Sequence, residues 1–253
     1  MIDIHMFPCL QDNYGFLLHC QETGVTATID TPEVAPIEAA LEERGWTLTH
    51  VLNTHHHFDH AGGNEELKAR HGCTIVGPKA DEARIPGIDV AVGQDDVYEL
   101  GTISLQVFDV PGHTRGHIAF YAPDAGAAFV GDTIFALGCG RLFEGSPEQM
   151  WTSIQKLMTL PDSTKIYCAH EYTQSNARFA VTVDPDNAEL IERAGQIDEA
   201  RSRGEATVPT TLGLEKATNP FLRPMATSLR STLNMASADD VAVFAETRNR
   251  KDN

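Results

Sequence analysis

Five of the chain's 11 histidines fall between residues 50 and 60, and the densest stretch reads Thr54-His55-His56-His57-Phe58-Asp59-His60. Imidazoles and a carboxylate packed this closely are costly to bury unless something coordinates them. An apolar strand pattern over 49–54 leads into the segment and a helical pattern over 63–71 leaves it, so the donors sit at a strand end. His55 and His57 stand two apart, and an extended turn aims both at one point. Asp59 and His60 are neighbours and diverge from that point towards a second one. Such donors suit zinc, iron or manganese, and no thiolate is placed to select a softer metal. Taken alone, Asp59 reads as the N-cap of the following helix. His56 is expected to turn away from the metals and His117 to play a supporting part, while His5, His19, His50 and His71 carry no functional reading.

Three further donors share one piece of grammar. Apolar strand patterns run to Val110-Pro111-Gly112 and then His113, to Val130-Gly131 and then Asp132, and to Cys168-Ala169 and then His170. A histidine at a strand end is usually just a satisfied polar residue, and Asp132-Thr133 alone reads as an ordinary turn. The His-rich cluster changes that balance, because strands of one packed unit can bring their C-terminal ends to a common edge. Seven ligands then suffice for two divalent metal ions. His55, His57 and His113 are assigned to the first and Asp59, His60 and His170 to the second. Asp132 bridges, since a carboxylate has two oxygens.

Strand patterns at 2–6, 14–20, 25–30, 49–54, 74–77, 103–110, 118–121, 127–131 and 165–169 alternate with helical patterns at 33–44, 63–71 and 147–160. That interleaving predicts an α/β architecture over residues 1–171. Beyond Tyr172 the strand signal fades, and helical patterns at 186–203 and 238–248 flank a Thr/Pro/Gly stretch at 207–213. A smaller, mainly helical domain over 172–253 is expected. The net charge is −17 overall, and residues 1–171 carry −15 of it, nine basic against 24 acidic. So acidic a body argues against nucleic acid and demands a local positive supply for any anionic substrate. Bound metal, or Arg248, Arg250 and Lys251, could provide it. The five cysteines are scattered without a CxxC pair, as expected of free thiols in a reducing compartment. No export signal or membrane span is legible, so a cytoplasmic monomer is expected, with no membrane partner.

THHHFDH resembles the THxHxDH signature of the metallo-β-lactamase superfamily, which implies an αββα sandwich with metals at one edge. The narrower resemblance is to glyoxalase II, the hydroxyacylglutathione hydrolases, and it runs the length of the chain. Its segments appear in order: PCLQDNY at 8–14, THHHFDHAGGN at 54–64, PGHTRGH at 111–117, GDTIF at 131–135, GCGRLFEG at 138–145, CAHEYT at 168–173, NPFLR at 219–223 and RNRKD at 248–252. By position, the resemblance implies glutathione contacts from Arg141, Tyr172, Arg248 and Lys251. Phe143 stands where some members have tyrosine and is included as lining only. Judged alone, Arg248 and Lys251 would be solvated charges at a helix end, and Tyr172 an interdomain packing residue.

The resemblance implies a thioesterase acting on S-(2-hydroxyacyl)glutathione, with S-D-lactoylglutathione the expected case in methylglyoxal detoxification. Two divalent ions, zinc first with iron or manganese also accommodated, would share a water whose pKa falls from about 15.7 to near 7. Asp59 has two roles open to it, as ligand to the second metal and as orienter of the hydroxide proton. The rivals are a mononuclear-iron persulfide dioxygenase of the same fold, which has no need of the helical tail, and a non-catalytic metal-binding module.

Overall fold

The computed structural model describes all residues, 1–253. Contacts divide the chain into two compact units. The first comprises Met1–Asp109 and Arg115–Gly131 and the second Val110–Thr114 and Asp132–Asn253. No helix is long and apolar enough to cross a membrane.

The first unit opens with a hairpin, β1 (Ile2–Cys9) and β2 (Asn13–Cys20), continued by antiparallel β3 (Thr26–Ile29). The chain then crosses over through α1 (Val34–Arg44), closed by Gly45 in the left-handed region as the sequence implies, into parallel β4 (His50–Leu52). After β4 come the short α2 (Phe58–Ala61) and α3 (Asn64–His71), then β5 (Thr74–Pro78) and β6 (Val90–Val92), both parallel to their neighbours. Parallel pairs need such crossovers, and the crossovers cover one face of the sheet. Ile37, Ala40 and Leu41 of α1 and Leu67 of α3 pack there against Leu17, Val51 and Ile75. Each large side chain fully buried in this way contributes about 1.5–3 kcal/mol. On the opposite face, Phe16 meets Phe129 edge-on with ring centroids 5.8 Å apart. Phe129 belongs to a meander of four antiparallel strands, β7 (Val97–Leu100), β8 (Ile103–Asp109), β9 (Ile118–Ala122) and β10 (Ala127–Gly131).

The second unit begins with a two-residue ladder, β11 (Ile134–Phe135) against β12 (Gly138–Cys139). Helix α4 (Pro147–Leu157) starts on a Ser146/Gln149 capping box with Pro147 in its first turn. β13 (Lys165–Cys168) precedes α5 (Thr173–Val183) and α6 (Ala188–Ser202); β14 (Thr210–Thr211) follows and pairs back on β13. Helices α7 (Leu212–Thr218), α8 (Thr227–Leu233) and α9 (Asp240–Asp252) complete it. Leu137, Ala177, Ala180, Leu190 and Ile197 form one apolar cluster, and Val183, Leu229, Leu233 and Val243 another.

Several expectations shift. The strand expected over 49–54 is shorter, His50–Leu52; beyond it Asn53 Nδ2 donates to His60 O in the following loop and Thr54 Oγ1 donates to Asp30. The stretch 207–213 is not merely a connector, since it holds β14. Helix α5, with its β-branched and small polar residues, gives a weak propensity signal and was not expected.

Candidate metal centre

Strand β4 lies between β3 and β5, and its C-terminal end delivers the His-rich loop. His55 is fully buried, with its Nε2 3.0 Å from His57 Nδ1. Two ring nitrogens that close share a proton or a cation. His60 is also buried, its ring centroid 4.0 Å from that of His55, and its Nε2 lies 3.5 Å from Asp59 Oδ2. Asp59 sits inside α2, and the N-cap position belongs to His57, so the capping reading of Asp59 does not hold. His56 points elsewhere: its Nδ1 is 3.2 Å from Asp81 and its Nε2 3.2 Å from Arg84 Nη1. His117 is buried and stacks on His55 at 4.5 Å.

Asp30 holds this loop and was missed in the sequence. It directly follows β3 with φ of 59°, and its carboxylate accepts from Thr54 N at 2.7 Å, Thr54 Oγ1 at 2.8 Å and His60 Nδ1 at 2.8 Å. The last contact fixes the proton on Nδ1 and aims Nε2 as the donor atom, the usual carboxylate–histidine arrangement behind a metal. Asn13, from the QDNY turn, donates to Asp59 Oδ2 at 3.2 Å. Asp30 could have been found by the rule used for His113, since it is a donor residue directly after an apolar strand; Asn13, which opens β2, carries no such signal.

In the second unit, His113 lies in the loop before β9, Asp132 directly follows β10, and His170 follows β13. Asp132 offers one oxygen to each histidine, Oδ2 lying 3.3 Å from His113 Nε2 and Oδ1 3.4 Å from His170 Nε2. His113 Nδ1 is 2.8 Å from the Arg141 carbonyl, which again leaves Nε2 as donor atom. Gly140 permits this close approach, because a Cβ there would come within 2.0 Å of the Asp132 carbonyl.

A cavity of about 440 Å³ opens beside these groups, bounded by His113 and Asp132 at one end and by Arg141, Tyr172, Arg248 and Lys251 further along. Tyr172 stacks on His170 with centroids 4.7 Å apart, and exposed Phe143 meets His113 edge-on at 5.2 Å. Arg248 is buried and its guanidinium is engaged within the protein, donating to Cys139 O at 2.9 Å and to Asp252 at 3.0 and 3.2 Å. Lys251 donates to Ser175 O at 3.1 Å. Burial, then the neighbouring Arg248 charge, pushes its ammonium down to about 8. Arg141 is largely exposed, 3.6 Å from Asp252.

A model of the metallo-beta-lactamase superfamily matches residues 22–170, and one of the hydroxyacylglutathione hydrolase C-terminus matches residues 171–253. The chain is 55% identical to the hydroxyacylglutathione hydrolase of Maricaulis maris, over 98% of this chain and 97% of that one. It is 56% identical to the hydroxyacylglutathione hydrolase of Methylococcus capsulatus, over 100% and 98%. Among solved structures, ETHE1 from Myxococcus xanthus superposes with a TM-score of 0.66 at 24% identity, covering 99% of this chain and 98% of that one. At that identity the likeness shows the fold alone.

Proposed function

The chain belongs to the hydroxyacylglutathione hydrolase family of the metallo-β-lactamase superfamily, with a helical C-terminal domain, and we propose that as a thioester hydrolase it cleaves S-D-lactoylglutathione to D-lactate and glutathione. Removing methylglyoxal-derived thioester is the role this implies. The observation that carries the reading is the Asp132 carboxylate, which presents its two oxygens to two different histidines.

The histidine and aspartate clusters mark the chain as a user of divalent metal. The donor chemistry fits that group. Five imidazoles and two carboxylates are borderline-to-hard donors, and burial pushes the nearby Cys168 thiol up to about 12, so it stays protonated. We assign His55, His57 and His113 to one ion, Asp59, His60 and His170 to a second, and Asp132 to both, with zinc proposed in each position. When bound, such a pair lowers the pKa of water to about 7 and polarises the thioester carbonyl.

The chain's own residues do the rest. Asp59, steadied by Asn13 Nδ2, would orient the attacking water by accepting a hydrogen bond from it at a carboxylate oxygen. The leaving thiolate is a weak base, its thiol pKa about 8.5, so no strong general acid is required. Lys251 and Arg141 attract the peptide's carboxylates, Tyr172 and Phe143 wall the chain of the substrate, and Arg248 shapes the cavity from behind. On this proposal residues 1–171 carry the catalytic groups together with Arg141 and Phe143, and residues 172–253 supply the remaining substrate contacts. Five buried free thiols favour a reducing compartment, and we propose a cytoplasmic monomer acting on a small molecule.

Hydrolysis of S-D-lactoylglutathione, measured on the sample used for metal analysis, tests the reading. Turnover with about two ions per chain is expected from a two-metal site. Fully loaded protein that leaves the thioester intact would refute it. A second expectation concerns pH. Lys251 is charged only below about 8, with Arg248, Asp252, Cys139 and Arg141 as the groups around it. KM for the glutathione thioester is therefore expected to rise as pH climbs through about 8, because the Lys251 ammonium is lost. A short lactoyl thioester without the peptide shows no such rise. Equal pH dependence of the two KM values would remove Lys251 from substrate binding.

A further inference from the structure

Between Asp132 and Arg141 the chain makes a very short hairpin, two residues per strand, with Leu137 at its turn in the left-handed region at φ of 59°. A ladder that short cannot fix its own position. The sections flanking it, however, carry the most exacting geometry in the second unit: Asp132 divides its oxygens between His113 and His170, and the Arg141 carbonyl sets the tautomer of His113.

The stiffness comes from side chains of the helical region. Asn219 Nδ2 donates to the carbonyls of Phe135 and Gly138 at 3.1 and 3.0 Å. Asn176 Nδ2 donates to Ala136 O at 3.0 Å. Leu137 N–H donates to Glu215 Oε2 at 2.9 Å, and Asn219 Nδ2 also reaches that oxygen at 2.9 Å. Arg248 Nη1 takes Cys139 O at 2.9 Å. Three separated segments, α5, α7 with its C-cap, and α9, thus grip six consecutive hairpin residues at five of them, and Glu215 and Asn219 are wholly buried.

We propose that Asn219 and Glu215 are positioning residues for the reaction: through the 134–139 hairpin they hold Asp132 and His113 in ligating geometry. The helical region is then a mount for part of the metal site as well as a binder of peptide. This rests on the thioesterase reading of the site. A carboxylate shared by two ions tolerates about 0.5 Å of displacement, so loosening the hairpin weakens ligation before it weakens peptide binding.

The test compares Asn219→Ala with Leu233→Ala, a core change in the α8 cluster away from the hairpin. Zinc affinity is measured by chelator competition, melting temperature on the same stocks, and kcat and KM on both S-D-lactoylglutathione and a short lactoyl thioester. Asn219→Ala is expected to lose zinc affinity at least tenfold and kcat at least tenfold on both substrates, with KM for the glutathione thioester within threefold. Leu233→Ala is expected to lower the melting temperature while zinc affinity stays within twofold. The proposal is overturned by unchanged zinc affinity in folded Asn219→Ala, by a rise in KM alone, or by an equal zinc loss in Leu233→Ala. If Asn219→Ala does not fold, Asn176→Ala removes a single hairpin bond; a loss of zinc affinity at least threefold supports the mount, and unchanged affinity overturns it. Wild-type protein without thioesterase activity would sink the functional reading, while the zinc measurements would still decide this one.

Discussion

Asp132→Ala is expected to reduce turnover of S-D-lactoylglutathione by about a thousandfold or more, a barrier increase of at least about 4 kcal/mol. The same variant is expected to purify with less metal. The reason is geometric. Asp132 is the one carboxylate in the second unit whose two oxygens lie against two histidines, 3.3 and 3.4 Å away. Alanine leaves both imidazoles in place yet removes the anionic link between them, so the two assigned ions lose their shared ligand and their charge compensation. Metal analysis and kcat on one preparation check this. Near-wild-type rate in a metal-quantified Asp132→Ala sample would show the two-ion assignment to be wrong. The cavity residues are expected to behave differently: losing Lys251 should raise KM and spare short thioesters, because the contact proposed for that side chain is with the peptide and not with the reacting bond.

Arg193→Ala is expected to be the most damaging single change for stability among the residues outside the site, at about 3–5 kcal/mol. Glu215 is fully buried, and its carboxylate accepts from Arg193, from Thr210 Oγ1 at 2.7 Å, from Leu137 N and from Asn219. Removing the guanidinium strands a carboxylate with no counter-charge in a low-dielectric surrounding. Urea unfolding measures the loss, and a shift below about 1 kcal/mol would mean that the pair is far better hydrated than its burial implies. Replacing both partners by apolar residues often restores stability for an isolated buried pair. Here it should not, since the Leu137 N–H and the Asn219 amide would lose their acceptor.

The seven candidate donors could be picked out in the sequence because ligand chemistry is carried by residue type and local spacing, and all seven fall in His/Asp groups that could hold a metal ion. His55 and His57 stand two apart, and His113, Asp132 and His170 each close an apolar run. The α/β pattern of the first unit was readable for the same reason, through strand periodicity and through a helix stop such as Gly45. Asp30 and Asn13 were not recognised, although each touches a residue of the cluster. Asp30 lies 30 residues before His60, and only the parallel pairing of β3 with β4 makes them neighbours. In Arg248 the sequence shows a basic residue near a chain end, with no sign that Asp252 and a backbone carbonyl occupy its guanidinium.

Composition and local order therefore determined which atoms this protein can offer to a cation and to an acidic peptide. Where those atoms are aimed was decided by contacts between segments far apart along the chain, as Glu215 and Asn219 show by gripping a hairpin 78 and 84 residues away. The division is physical. Donor character belongs to a single side chain, whereas a tautomer, a buried charge's partner and a loop's stiffness belong to pairs that no window of sequence contains.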